Sequence, residues 1–374
     1  MSQQPANARR TIHLPLPVGE RSYDIVIQNG LLNEAGPLVA ALMKGRRCLV
    51  ITDRTIGPKH GYRLSASLQK SGFDGTALEL PPGEGVKTID VAKNLYDVCL
   101  DAGLDRDSCL IALGGGAIGD LTGFVAATFF RGIHFVQVPT TLLAMVDASI
   151  GGKTGVDHPK AKNAIGAFHQ PKAVLIDPET LATLPDRELK SGLAEVIKYG
   201  VIDDAELFAF IEKNTAKLLA KDGEALAHVI ERSAAIKAHI VSVDERETGS
   251  GPRALLNFGH TFAHAVETAT NYQGYLHGEA VAIGMAMACE LSVEQKLMTR
   301  ADRDRVIALI EKASLPTKLQ PGDPDTNSLY EAMFKDKKAA AGKLRFILSD
   351  KIGAARIVTD VPEDAVKKAW NARR

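Results

Sequence analysis

Six short runs rich in apolar residues punctuate the first half of the chain: SYDIVIQ (22–28), RCLVITD (47–53), TALEL (76–80), SCLIALG (108–114), IHFVQVP (133–139) and AVLID (173–177). The last three are apolar at nearly every position. A strand with one wet face alternates apolar and polar residues, so a continuous apolar run marks a strand covered on both faces. Segments of helical period lie between the runs, notably LLNEAGPLVAALMK (31–44) and TIDVAKNLYDVCLDAG (88–103). This alternation predicts an α/β fold, a mostly parallel sheet with helices on both faces.

From Asp186 to about Leu315 the pattern turns largely helical, through RELKSGLAEVIKYGVI, AELFAFIEKNTAKLLA and EALAHVIERSAAIKAHIVSVDERE. A short hairpin, KLRFILSD then ARIVTD, and a helix after Pro362 are expected to follow. The change of character near LPDRE (184–188) predicts a Rossmann-like domain over 1–185 and a mainly helical domain over 186–374. Two domains also suit 374 residues at roughly 100–200 residues each. Residues 1–10 are expected to be a loose tail. The formal net charge is zero, which disfavours a nucleic-acid or membrane-surface partner. Four scattered cysteines without a CxxC pair point to a reducing, cytoplasmic setting. Neither a secretory signal nor a membrane span is expected, because no apolar stretch is long enough.

SCLIALGGGAIGDLTGFVAATFF (108–130) reads as strand, tight turn, helix. Gly114, Gly115 and Gly116 let the backbone adopt positive φ and come close to a ligand. The N–H groups opening the next helix can bind a pyrophosphate. A plain strand–helix connection also accounts for such a turn, and GGGxxGD is not the ordinary dinucleotide fingerprint. Asp53 ends an earlier strand, where an acid can meet a ribose hydroxyl. PGEGVKT (82–88) is a further turn, carrying Glu84 and Lys87, and Thr140 and Thr141 follow the run ending at Pro139. Loops at the carboxyl ends of parallel strands are where such sheets bind ligands.

The second half carries NFGHTFAHAVE (257–267) and LHGEAVAIG (276–284). His260 and His264 are four apart on a helix and share a face, a spacing that suits a divalent metal. His277 follows closely. In SGLAEVIKYG (191–200), Glu195 sits among Leu193, Ala194, Val196 and Ile197, where a carboxylate needs a partner. A Glu with two His leaves coordination positions open, as in a catalytic site. Glu267 and Glu279 lie near the histidines and serve equally as ligands or as partners that orient the imidazoles. Between turn and histidines lies AMVDASIGGKTGVDHPKAKNAIGAFHQP (144–171), glycine-rich and carrying Asp147, Lys153, Lys160, Lys162 and Asn163. Lys160 reads as a solvated surface charge. Arg131 precedes this segment; Lys198, Lys237, Arg253, Asn257 and Lys343 follow it. Together they suit a phosphorylated, carboxylated small molecule.

Read in order, GGGAIGDLTGFVAATFFRGIHFVQVPTTLLAMVDASIGGKTGV, AKNAIGAFHQP, SGLAEVIKYG, LLNFGHTFAHAVE and LHGEAVAIGMAMA resemble the 3-dehydroquinate synthase family of sugar phosphate cyclases. The resemblance runs from about Tyr23 to Lys343. It implies a dehydroquinate synthase-like fold, a homodimer, and zinc or cobalt held by Glu195, His260 and His277, with His264 touching substrate instead. It implies NAD+ contacts at Asp53, Glu84, Lys87, Gly115, Gly116, Asp120, Thr140, Thr141, Lys153, Lys162 and Thr183. Substrate contacts fall on Asp147, Lys153, Asn163, Lys198, Lys237, Arg253, Asn257, His264 and Lys343, and Arg131 corresponds to an arginine reaching across a dimer interface. The family's usual GKN reads AKN here (Ala161–Asn163), and ETGSGPRALL (247–256) is about two residues longer than is common.

The implied reaction converts 3-deoxy-D-arabino-heptulosonate 7-phosphate to 3-dehydroquinate and phosphate, in the shikimate pathway of aromatic amino acid biosynthesis. NAD+ takes a hydride from C5, phosphate is eliminated, the hydride returns, and the ring reopens and closes by an aldol step. The rivals are another sugar phosphate cyclase, a metal-dependent polyol dehydrogenase of the glycerol dehydrogenase type, and a nucleotide-sensing module without activity.

Overall fold

A seven-stranded sheet organises the first half of the chain. Its strands are β1 (Arg10–Leu14), β2 (Tyr23–Ile27), β3 (Arg47–Asp53), β4 (Asp74–Leu80), β5 (Cys109–Gly114), β6 (His134–Pro139) and β9 (Ala173–Ile176), with a separate hairpin, β7 (Lys153–His158) and β8 (Ala161–Phe168), between the last two. The spatial order is β1-β2-β9-β6-β5-β3-β4. All pairings are parallel except β1 with β2. This computed structural model describes residues 8–249, 251–335 and 344–374.

The continuous apolar runs are explained by two cores. Cys109, Ile111 and Leu113 of β5 join Val50 and Val136 on one face, against α1 (Ala35–Leu42) and α2 (Tyr62–Lys70). Leu110 and Ala112 join Leu49, Ile51 and Phe135 on the other, against α3 (Ile89–Asp101) and α4 (Gly116–Thr128). Neighbouring residues of a strand point to opposite faces, so both faces demand apolar side chains. The chain runs outward from β3 to β4, crosses back to β5, and continues to β6. The order therefore reverses between β3 and β5, the crevice where open parallel sheets bind ligands.

The second half supplies α5 (Asp186–Ile202), α6 (Ala205–Leu219), α7 (Gly223–Val243), α8 (His260–Ala269), α9 (His277–Glu294), α10 (Arg300–Lys312) and α11 (Thr326–Lys335). A hairpin of β10 (Arg345–Lys351) and β11 (Ala354–Thr359) and a last helix, α12 (Glu363–Asn371), complete it. Among the described residues, no helix is long and apolar enough to cross a membrane.

Two compact units divide the chain: Met1–Pro185 with Leu226–Arg246, and Asp186–Ala225 with Glu247–Arg374. Sequence patterning suggested a single cut, but residues 226–246 cluster with the sheet. Buried apolar residues such as Val229, Ile230 and Val241 pack this segment, and three ion pairs tie it to residues of the same unit. Glu231 pairs with Arg10 at 2.6 Å, Glu245 with Arg21 at 2.8 Å, and Lys237 with Asp147 at 2.6 Å.

Three local expectations are corrected. Arg10, expected in a loose tail, starts β1 and pairs with β2. The segment 144–171, in which no strand was expected, contains the β7–β8 hairpin, where Gly155 faces Gly166. A Cβ on Gly166 would lie 2.2 Å from the Thr154 carbonyl oxygen, so here glycine permits the pairing. Helix α11 was not foreseen.

Candidate active site

In the sheet unit, every described residue expected to touch a dinucleotide follows or ends a strand at the carboxyl edge, apart from Lys153 and Lys162 in the β7–β8 hairpin and Asp120 in α4. Gly115 precedes α4 without any side-chain cap, which leaves the first N–H groups of that helix without a side-chain acceptor. None of Gly114, Gly115 and Gly116 has positive φ. Their role is space. A Cβ on Gly115 would stand 3.2 Å from Thr141 Cγ2, one on Gly116 3.3 Å from Ala148 Cβ, and one on Gly119 2.7 Å from Gln137 Oε1. Added side chains would fill the cradle or displace the buried Gln137 amide on β6.

Asp53 Oδ1 accepts the N–H groups of Thr55 and Ile56 at 2.7 and 3.0 Å, which turns the chain sharply after β3. Thr140 is buried, and its Oγ1 has no hydrogen-bond partner among the described residues. A buried orphan hydroxyl costs free energy unless something binds it. Its place beside the glycine turn fits a ligand there. Thr141 Oγ1 accepts from Ala144 N–H at 3.2 Å, and Thr183 Oγ1 lies 2.9 Å from His60 Nε2.

Lys87 is buried, and its Nζ donates to Asp120 Oδ2 at 2.6 Å and to Asn163 Oδ1 at 2.5 Å, with Glu84 Oε1 at 3.7 Å. Burial pulls this lysine's pKa down, but the Asp120 and Glu84 carboxylates outweigh it and hold the ammonium above its usual value. Asn163 also donates its N–H to Asp157 Oδ1 at 2.8 Å and takes a left-handed φ of 54°. An asparagine assigned to substrate is thus joined to a lysine assigned to cofactor. Lys162 stands 3.9 Å from Glu84 Oε1. Lys237 Nζ donates to both the backbone oxygen and Oδ1 of Asp147, each at 2.6 Å, so two expected substrate contacts meet in this unit. Lys153 is exposed at the start of β7. Arg131 is exposed in the turn Phe129–Arg131, with φ 66°.

In the helical unit, Glu195, His260 and His277 converge. Their ligand atoms all lie within 4.8 Å of one another. Close glycine contacts bring the helices in. A Cβ on Gly278 would lie 2.0 Å from the Ser191 carbonyl oxygen, one turn of α5 before Glu195. A Cβ on Gly284 would lie 2.2 Å from the Gly259 carbonyl oxygen, one residue before His260. Gly259 itself has a left-handed φ of 79° and starts α8.

Glu195 is fully buried; the Lys198 ammonium pairs with its Oε2, while Oε1 has no hydrogen-bond partner among the described residues. Oε1 is 3.6 Å from His260 Nε2 and 3.8 Å from His277 Nε2. Those gaps are too long for hydrogen bonds. They approach the separation of roughly 3.4 Å between two ligands each about 2.1 Å from a tetrahedral ion. His260 Nδ1 donates to the Phe258 carbonyl at 3.1 Å, which turns Nε2 toward Glu195. Burial, with the nearby Lys198 charge, holds its pKa well below the usual histidine value. The imidazole is therefore neutral at neutral pH, the form that binds a metal. The donor set fits a divalent cation.

A cavity of about 300 Å³ adjoins this cluster, lined among others by Glu247, Asn257, His260, Thr261, His264 and Arg345. Asn257 Nδ2 donates to Glu247 Oε1 at 3.0 Å. His264 contacts the cavity, while its ring centre is 5.6 Å from that of His260. Arg253 is buried in the turn Pro252–Asn257. Glu247 and Arg345 were not anticipated, since a single acid or arginine in a loop or strand carries no signal in the sequence. Lys343 lies outside the described residues.

A family model for the N-terminal part of 3-dehydroquinate synthase matches residues 77–191, and one for the C-terminal part matches residues 192–339. A 3-dehydroquinate synthase from Nostoc punctiforme is 48% identical over 359 residues, covering 96% of this chain and 98% of the relative. One from Synechococcus sp. is 50% identical over 366 residues, covering 97% and 99%.

The chain belongs to the 3-dehydroquinate synthase family.

Solved structures agree with that membership. A 2-epi-5-epi-valiolone synthase from Streptomyces hygroscopicus, with NAD+ and Zn2+ bound, has a TM-score of 0.86 at 32% identity and covers 94% of this chain and 96% of its own. Glycerol dehydrogenase from Schizosaccharomyces pombe shares the fold alone, with a TM-score of 0.67 at 17% identity over 93% of this chain and 88% of its own.

Proposed function

We propose that this chain is a 3-dehydroquinate synthase, a phosphate-releasing carbon–oxygen lyase acting on 3-deoxy-D-arabino-heptulosonate 7-phosphate with catalytic NAD+ and a divalent metal, zinc or cobalt. Supporting this most directly is one geometric fact: a fully buried Glu195 carboxylate, paired with Lys198 through Oε2, whose Oε1 is faced by the Nε2 atoms of two histidines. When bound, NAD+ supplies reversible hydride acceptance, and the metal supplies Lewis acidity at hydroxyl and ketone oxygens.

The chain's own residues do the rest. Glu195, His260 and His277 hold the metal. Asp53, Gly115, Gly116, Thr140 and Thr141 receive the dinucleotide at the strand ends, assisted by Glu84, Lys87, Asp120, Lys153, Lys162 and Thr183. Arg253, Asn257 and Lys343 hold charged or polar substrate groups, as do Lys153 and Asn163, so that successive steps occur in one pose. Lys198, ion-paired with Glu195, contacts substrate. Asp147, held by Lys237, orients a hydroxyl, and the His264 imidazole moves a proton. Arg131 acts across a homodimer interface, and the enzyme works in the cytoplasm.

A choice of substrates separates this reading from other cyclases. With NAD+ and zinc present, phosphate is expected from the heptulosonate phosphate and not from a phosphorylated ketose lacking the carboxylate. Equal phosphate release from the ketose would sink it. A second expectation concerns the cradle. Gly119→Val drives a branched side chain into Gln137 Oε1, which already stands 2.7 Å from the position of a Cβ. Dinucleotide titration of that variant should show at least about tenfold weaker NAD+ binding, the tenfold being 1.4 kcal/mol. Unchanged affinity would mean that α4 does not form the dinucleotide site.

A further inference from the structure

The geometry points to Glu267 as a positioning residue for the metal centre, one that fixes the His277 imidazole from behind and makes it a stronger ligand. The inference rests on the metal reading above. His277 Nδ1 donates to Glu267 Oε1 at 2.9 Å, while its Nε2 faces Glu195 Oε1 at 3.8 Å. The ring is thus held by one nitrogen so that the other is presented to the ion.

Packing alone does not hold this ring. The His277 side chain is 37% exposed, the most exposed of the three, whereas that of Glu267 is 12% exposed. The two ligand imidazoles are also backed differently. His260 is backed by the neutral Phe258 carbonyl at 3.1 Å, and His277 by a carboxylate. A charge-assisted hydrogen bond is the stronger kind and raises the basicity of the far nitrogen. Register explains the economy of the arrangement. His260, His264 and Glu267 stand at i, i+4 and i+7 on one face of α8. One helix therefore supplies one ligand and aims the other.

Glu279, the second acid near the histidines, is engaged elsewhere. Arg187 grips both of its oxygens, Nε to Oε1 at 2.7 Å and Nη2 to Oε2 at 2.8 Å, and Leu276 N–H donates to Oε2 at 2.8 Å. It caps α9 and does not face the imidazole nitrogens.

The experiment measures Co2+ affinity by chelator competition, together with the visible spectrum of the cobalt protein, for the whole chain and for Glu267→Ala, Glu267→Gln and Glu279→Gln. Glu267→Ala is expected to weaken cobalt binding by about 10–100-fold, the range for residues that orient a metal-bound histidine. Glu267→Gln keeps an acceptor for Nδ1–H but no charge, and falls between Glu267→Ala and wild type. Both shift the cobalt absorption bands, which a merely structural role would leave in place. Glu279→Gln retains affinity and spectrum. Should Glu267→Ala fail to fold, Glu267→Gln decides alone. Wild-type affinity and an unaltered spectrum in the Glu267 variants overturn the positioning role while the metal reading stands. Absence of cobalt binding by the unsubstituted chain overturns both.

Discussion

His260→Ala abolishes turnover, and it does so by emptying the metal site. The substitution removes one of two imidazoles that face the buried Glu195 carboxylate, with Nε2 3.6 Å from Oε1. Two ligands remain, and His277 is one-third exposed. A two-ligand site does not hold zinc at the affinity of a three-ligand catalytic site. Metal analysis of the purified variant should find far less than the wild-type content, with the circular dichroism spectrum unchanged. Normal metal content with normal activity would refute the ligand assignment.

Gly278→Ala has the second-largest effect, although Gly278 touches neither metal nor substrate. An added Cβ falls 2.0 Å from the Ser191 carbonyl oxygen and 2.6 Å from its carbon. Neither is a flexible side-chain end, so the start of α9 must leave α5. The Gly278 N–H to Ser191 Oγ bond at 3.1 Å goes with it. Overpacking of this kind costs about 1–3 kcal/mol. At roughly 2–4 °C per kcal/mol, the melting temperature should drop by about 2–12 °C. His277 is the adjacent residue and moves with the helix start, away from a carboxylate that sits on α5. A displacement near 1 Å lowers the rate by about 100-fold. Thermal melts and steady-state rates check both parts. A variant that melts and turns over like wild type would mean that α5 and α9 are not in this close contact.

Much of the fold was legible because burial leaves a record in composition. Strands β3, β5, β6 and β9 are covered on both faces, so their apolar runs identify them. The hairpin β7–β8 left no such record. Strand β8 is exposed along most of its length, and its glycines are there for backbone pairing. The passage of residues 226–246 to the sheet unit was hidden for another reason: helical period is the same whichever unit a helix packs on, and the ion pairs that link it to the sheet unit join residues far apart in sequence.

The site was legible in its chemistry and less so in its geometry. Spacing alone pointed to His260 with His264; the family resemblance singled out Glu195, His260 and His277, and the structure brings those three together. Spacing could not rank Glu267 against Glu279. The two acids differ only in what they meet, one a histidine ring and the other Arg187. Of the two reasons read for the glycine turn, positive φ fails and room for close approach stands. The Lys87–Asn163 contact joins segments 76 positions apart, beyond any local pattern.

The chain is expected to borrow a hydride and give it back. The direct measurement supplies the zinc-loaded protein with excess heptulosonate phosphate and NAD+ far below the substrate concentration, then follows phosphate, 3-dehydroquinate and absorbance of NADH together. Complete conversion, one phosphate per product and no net NADH is the predicted result. Conversion that stalls once NAD+ is consumed, with NADH accumulating and phosphate retained on the sugar, would contradict it.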